Sequence, residues 1–278
     1  MMKLRIKALL ASACIFLCAG RTGLFSAPND YVQPFSLNPV SDGIQLGLGL
    51  TLSGSALVCD KLVHIKKNDF NPASLNKADI PSFEQIFMRP YSKPLHIAGT
   101  GTMALAIATP AIFAIMPSSE WLTIGTMYVE TMLIANGLKE WAKLLVYRTR
   151  PYMYFDGYPQ DKLADGDWNC SFPSGHTTLA FAAAAFTTMV YCSCYPDSNW
   201  KYAVAGVSFA LAAVTGGLRM ASGNHFLTDV LVGAVIGTTC GILVPYLHTL
   251  IGGDKKERRP GVPQPSLSPA GFTITYKF

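Results

Sequence analysis

Three short clusters in the sequence combine cations with imidazole and carboxylate. Lys143 stands seven residues before Arg150-Pro151, Pro173 leads into Ser174-Gly175-His176, and Arg219 precedes His225 and Asp229. Three cations of this kind neutralise the nonbridging oxygens of a phosphate as charge develops on them. Two histidines supply the rest: one imidazole attacks phosphorus and the other protonates the departing alkoxide. Seven residues is two helical turns, so Lys143 and Arg150 reach one anion if a single helix carries both. Asp229 lies one turn from His225, where a carboxylate holds one imidazole nitrogen and fixes the tautomer. Ser174 is a good helix N-cap, and Gly175 lets a backbone N–H approach an oxyanion at the positive helix end. The chemistry these residues support together is phosphoryl transfer.

Each cluster taken alone has a plainer reading. Lys143 and Arg150 serve as positive anchors at a helix end, and a lone His176 is incidental to a cap. His176, His225 and Asp229 also have the residue types of a metal site, but three neighbouring cations would repel a metal ion. The remaining histidines, His64, His96 and His248, lack such company and read as interfacial, with His96 placed to meet lipid headgroups. Tyr152, Tyr154, Phe155 and Tyr158 read as an interfacial aromatic belt.

The elements that must hold these residues are set by composition. Of 278 residues half are hydrophobic and 14% are charged, with a mean hydropathy of +0.29. Soluble domains carry about 25% charged residues, so this chain has lipid as its solvent, and disorder, coiled coil and collagen are excluded. A net charge of +5, with no long basic run, is too mild for a nucleic-acid partner but suits an anionic membrane surface or substrate. The seven cysteines fall mostly in apolar runs and form no disulfide framework or zinc pattern.

Residues 1–20 have a basic start and a short apolar run, the shape of a secretory signal or an uncleaved anchor. Residues 21–94 form an N-terminal segment with one short apolar helix, 43–59, and a polar stretch in which Phe83, Ile86 and Phe87 predict a short interfacial helix. Residues 95–251 hold further apolar segments at 95–116, 121–146, 177–195, 202–218 and 229–251. Those at 43–59 and 202–218 are shorter and richer in Gly and Ser. Gly47, Gly49, Gly206, Gly216, Gly233 and Gly237 are candidates for close helix approach in lipid. Residues 252–278 form a basic, Pro-rich tail whose end alternates like a strand, and it reads as disordered or edge-paired. The expected fold is an all-α polytopic membrane bundle of about six transmembrane helices. If successive segments alternate direction, the end of 121–146, the start of 177–195 and the junction before 229–251 share one membrane face. All three clusters then meet.

These clusters resemble the three-part signature of the type 2 phosphatidic acid phosphatase (PAP2) superfamily, in its membrane lipid phosphatase branch. K-x6-RP is matched by Lys143, Arg150 and Pro151, PSGH by Pro173 to His176, and R-x5-H-x3-D by Arg219, His225 and Asp229. One position departs: Leu218 stands where that signature usually has Ser. The resemblance implies a PAP2/haloperoxidase-like core over 95–251 and no metal or other cofactor. It implies that His225 is the nucleophile that becomes phosphorylated, His176 the general acid and later base, and Asp229 the residue orienting His225. Lys143, Arg150, Ser174, Gly175 and Arg219 form the phosphate cradle by the same carry-over. The implied substrate is a lipid phosphate monoester or pyrophosphate: undecaprenyl pyrophosphate, phosphatidylglycerol phosphate, phosphatidate or a lipid A phosphate. A lipid-phosphate binding or transport protein is the non-enzymatic alternative, and a soluble haloperoxidase is disfavoured by the long apolar helices. The localisation implied is a bacterial inner membrane with a periplasmic site, whereas the Lys-rich stretch 61–93 argues for the cytoplasmic face.

Overall fold

The computed structural model describes residues 31–61, 71, 75–251, 264–268 and 271–275. The signal-like run lies outside these. Every apolar segment becomes a helix: α1 (Pro39–Lys61), α3 (Lys93–Ile107, continued as a 3-10 helix over Thr109–Ile115), α4 (Trp121–Val146), α6 (Gly175–Cys194), α7 (Trp200–Ala221) and α8 (Leu227–Ile251). Two short helices, α2 (Ser82–Gln85) and α5 (Gln160–Ala164), sit in the polar stretches.

Among the described residues, four helical spans are long and apolar enough to cross a membrane: Lys93–Ile115, Gly175–Cys194, Trp200–Ala221 and Leu227–Leu250. The expected count of about six is therefore not reached on length and composition. α1 interleaves its leucines with Gly, Ser and Gln, and α4 carries Glu130, Lys139, Glu140 and Lys143. The segment at 202–218, which looked weak, is one of the four.

α6 is the central helix because its middle is nearly side-chain-free. Ala180, Ala182, Ala183 and Ala184 are all fully buried. α8 packs along it through Gly233, Gly237 and Gly241, spaced four apart on one stripe. A Cβ at Gly237 would lie 2.1 Å from the Thr178 carbonyl oxygen, and one at Gly241 2.5 Å from that of Ala182. α1 lies alongside α4 in the same direction, with Ser53 Oγ donating to the Leu133 carbonyl and Trp141 Nε1 to Ser55 Oγ. There Gly49 and Gly137 provide the close approach, while Gly47 and Gly206 face open space. At one end of the bundle Phe113, Met127, Phe186 and Tyr195 close an aromatic-rich core with Phe35.

α4 stops at Val146, where Tyr147 takes a left-handed conformation with φ 46°. The connection to α6 folds back over the bundle on a core of Tyr152, Met153 and Trp168. Tyr152 is fully buried, so this aromatic run is no interfacial belt but the packing that fixes a loop. The short helix expected around Phe83, Ile86 and Phe87 is a four-residue turn, α2, with two unlike sides. Phe83 and Ile86 are 53% and 67% exposed, while Glu84 points inward and is buried. The tail holds an antiparallel pair, β1 (Gln264–Ser268) and β2 (Gly271–Thr275), with Leu267 opposite Phe272. The strand-like alternation thus pairs within the tail.

Candidate active site

Alternating helix direction brings the three clusters to one end of the bundle. Ser174 N donates to the Asp229 carbonyl at 2.9 Å, tying the start of α6 to the start of α8. Arg150 reaches the α7–α8 junction, donating to the Asn224 carbonyl at 3.0 Å. Gly223 makes that junction possible: its φ is +73°, and a Cβ would lie 2.4 Å from the Arg89 carbonyl oxygen.

His225 precedes α8 rather than riding on it. Its Nδ1 lies 2.7 Å from the Ser171 carbonyl oxygen, an acceptor only, so Nδ1 carries the proton and Nε2 the lone pair. Nε2 faces Arg150 at 3.1 Å. Burial, then the charges of Arg150, Arg219 and Lys143, push this imidazole well below its ordinary value of 6.5. It is neutral at physiological pH.

Asp229 does not hold the imidazole as its spacing suggested. Its Oδ2 is 3.6 Å from His225 Nδ1, outside hydrogen-bond range, because the backbone carbonyl of Ser171 occupies that place. The carboxylate instead accepts from Ser171 Oγ at 2.5 Å and from Phe226 N at 2.8 Å, closing the N-terminus of α8. Arg148 donates to its other oxygen at 2.5 Å. Arg148 also pairs with buried Glu84 of α2, which accepts from Thr228 Oγ1 as well. Asp229 therefore sets the position of His225 by anchoring the two backbone segments on either side of it.

The cations are delivered separately. The left-handed Tyr147 breaks the helix, so Lys143 and Arg150 do not share one. Asp167 fixes Arg150, accepting from Nη2 through Oδ1 and from Nε through its carbonyl, each at 2.7 Å. Burial alone would raise the Asp167 carboxyl; Arg150 and Lys162 hold it well below the usual range. Lys143 reaches in from the last turn of α4: a Cβ on Gly175 would lie 3.4 Å from its Nζ. Glycine leaves the ammonium room beside the start of α6. Arg219 is 2% exposed, its Nη1 lies 3.0 Å from His96 Nδ1, and its Nε finds no acceptor among the described residues.

Ser174 is the N-cap residue of α6 but makes no side-chain cap, since its Oγ pairs with Thr177 Oγ1 at 2.8 Å. The first-turn N–H groups of α6 stay directed at an incoming anion. His176 Nε2 lies 3.1 Å from Thr100 Oγ1 of α3, and its ring centroid is 6.2 Å from that of His96. His96 thus meets Arg219 and His176 rather than headgroups. Leu218 packs beside Gly99 of α3.

All eight expected residues come to this end of the bundle. Sequence reasoning missed Arg148, Asp167, Glu84 and Thr100. Arg148 had a signal in the basic run Arg148-Thr149-Arg150, whereas Glu84 lies 64 residues from its partner. His248, read as interfacial, is buried against Glu130 at the other end.

Residues 124–251 match the PAP2 superfamily. A lipid A 1-phosphatase of Porphyromonas gingivalis is 36% identical over 123 residues, 42% of this chain and 26% of that protein. The match thus spans about a quarter of that relative's length. The solved structure of Aquifex aeolicus LpxE overlays with a TM-score of 0.42 at 22% identity, covering 61% of this chain and 98% of that one. A transmembrane PAP2-type phosphatidylglycerolphosphate phosphatase from Bacillus subtilis gives 0.42 at 21% identity, covering 80% and 98%.

Proposed function

We propose that this chain, whose residues 124–251 match the PAP2 superfamily, is a membrane phosphatase acting on a lipid phosphate monoester or pyrophosphate through a phosphohistidine at His225. The observation that carries the reading is the His225 ring: Nδ1 is committed to the Ser171 carbonyl and Nε2 lies beside Arg150. A neutral imidazole whose Nε2 meets only a guanidinium N–H among the described residues can attack phosphorus once an incoming phosphate draws that guanidinium to its own oxygens.

In this mechanism Arg150, Arg219 and Lys143 take the nonbridging oxygens, with the open N–H groups of α6 beside them. The buried Arg219, whose Nε lacks an acceptor among the described residues, favours an anionic ligand over a passive anchor. Nε2 forms a bond to phosphorus as the lipid alkoxide leaves and takes a proton from His176. His176, now neutral, removes a proton from water as that water attacks the phosphohistidine, and inorganic phosphate departs. Asp229 and Asp167 are positioning residues for His225 and Arg150. The core is 95–251, and the protein sits in a bacterial inner membrane with this end toward the periplasm. Among the substrate classes, the likeness to a lipid A 1-phosphatase favours a lipid A-type 1-phosphate.

The test is phosphate release by the detergent-purified chain over a panel of lipid phosphates, with excess EDTA present. We expect release from at least one lipid, with lipid A 1-phosphate fastest, and none from His225→Ala. Release retained in His225→Ala, or lost on chelation and restored by zinc or magnesium in the Glu130→Gln chain as well as in the wild type, would overturn this mechanism. Tight binding of every lipid without release would return the reading to a binding or transport protein.

A further inference from the structure

The end of the bundle away from the phosphate site carries a second polar cluster, which the mechanism does not use. Glu130 lies thirteen residues before Lys143 on α4, and His248 nineteen after Asp229 on α8, or about 20 and 28 Å at 1.5 Å per residue. Asp42 and Gln45 approach them from α1. All four are at least nine-tenths buried, and Glu130 and His248 are completely so. One ligand atom each from Asp42, Glu130 and His248 lie within 4.8 Å of one another.

The hydrogen bonds here do not close. His248 Nδ1 donates to the Ser36 carbonyl oxygen at 3.2 Å, which turns Nε2 toward Glu130 Oε2, 2.8 Å away, with one proton shared between them. A metal-binding imidazole is oriented in the same way, by a backbone carbonyl on its other nitrogen. Among the described residues, Asp42 Oδ1, Glu130 Oε1 and Gln45 Oε1 receive no donor. All three are acceptors. Gln45 Nε2 lies 3.4 Å from His248 Nε2, and a half-turn of the amide presents its oxygen to the same point. With that amide turned, acceptor oxygens of Asp42, Glu130 and Gln45 surround the His248 imidazole, Asp42 Oδ1 lying 3.7 Å from its Nδ1; such a set calls for positive charge, and two carboxylates balance a divalent ion.

We propose that Asp42, Glu130 and His248, with Gln45 as a fourth donor, bind one divalent transition-metal ion that joins α1, α4 and α8. Imidazole with carboxylate and amide oxygens suits Zn²⁺, Mn²⁺ or Co²⁺. On binding, the proton shared by Nε2 and Glu130 Oε2 leaves to solvent, and the metal takes both lone pairs. The role is structural, since the reacting groups lie at the other end.

The full chain, purified in detergent, stripped with chelator and dialysed, is titrated with Co²⁺ by visible absorption and with Zn²⁺ by calorimetry. We expect about one ion per chain and a melting temperature raised by several degrees. Glu130→Gln and the milder Asp42→Asn should lose both effects. His176→Ala should retain them, which separates this site from the phosphate site. No binding of Co²⁺, Zn²⁺ or Mn²⁺ to the wild-type chain overturns the proposal and leaves a proton-bound network. Binding that survives Asp42→Asn and Glu130→Gln but is lost in His176→Ala also overturns it.

Discussion

With Nδ1 donating to the Ser171 carbonyl, the His225 ring is uncharged, the form the proposed mechanism needs, and its surroundings keep it so. A second proton would add a fourth positive charge beside Arg150, Arg219 and Lys143 in a buried site. The sign for stability follows from linkage. The folded value lies below the ordinary 6.5, so between the two only the unfolded chain takes up this proton, and stability falls as pH drops below 6.5. The melting temperature of His225→Gln should therefore fall less steeply with acidification than that of the wild type; equal slopes would mean the imidazole titrates normally. The two histidines separate by what each variant traps. His225→Ala removes the attacking nitrogen and forms no adduct. His176→Ala loses acid–base assistance worth about 10²–10⁴-fold, but an activated phosphate ester needs little protonation of its leaving group. It should accumulate an acid-labile, base-stable phosphohistidine, and that adduct in His225→Ala instead would reverse the roles. The residues of this site were legible because charged and imidazole side chains are costly in a lipid-solvated chain and stand out at fixed spacing. The Ser171 carbonyl was not, since a backbone acceptor has no residue type to read. That is why Asp229 was expected where the carbonyl sits.

Helix α6 is the platform for this arrangement, and what lets α7 and α8 close on it is the absence of side chains. The contact at Gly237 is with backbone: a Cβ would lie 2.1 Å from the Thr178 carbonyl oxygen and 2.8 Å from Ala182 N, and neither can step aside. Overpacking of a core typically costs about 1–3 kcal/mol, and a clash with backbone belongs at or above the top of that range. Gly237→Ala should lower the melting temperature and the folded yield in detergent, while Gly206→Ala, where a Cβ meets nothing within 4 Å, should be neutral or slightly stabilising. Equal behaviour of the two variants in a thermal melt would refute close α6–α8 packing. Sequence spacing marked Gly233 and Gly237 correctly because four-residue repeats share a helix face. It marked Gly47 and Gly206 wrongly, because lipid and a neighbouring helix are alike apolar and composition cannot say which one a glycine faces. Glu84 was hidden for a different reason. Its neighbours Phe83 and Ile86 have the periodicity of a surface helix, and only the Arg148 partner on a distant segment explains the acid between them.

At the scale of the whole molecule, the fold bears on which way the bundle crosses the membrane. α1 runs in the same direction as α4, with Gly49 against Leu133 and Leu52 against Gly137, so α1 ends at the catalytic face. Further along the chain, Glu84 pairs with Arg148 and Ser92 N donates to the Ser222 carbonyl on that same face. Lys77 and Lys93 therefore count toward the catalytic side, and by the positive-inside rule they pull that side toward the cytoplasm. α8 ends at the other face, and in the sequence Lys255, Lys256, Arg258 and Arg259 come within a few residues of its last position, which argues the opposite way. Several basic groups on the catalytic side, such as Arg148 and Lys162, are ion-paired, and Lys77 lies over the Phe155 ring, whereas the four after α8 form one block next to a helix end. Basic residues close to the end of a transmembrane helix carry the orienting effect, which favours a cytoplasmic tail and a periplasmic site. Two exposed positions make this a reciprocal test in a cysteine-free background: Asp161 in α5 on the catalytic face, and Ser119 in the turn before α4 on the other. In intact cells a membrane-impermeant thiol reagent should label Asp161→Cys and spare Ser119→Cys until the membrane is opened. The reverse pattern would put the catalytic face in the cytoplasm, where its substrate would have to be a lipid phosphate of the inner leaflet.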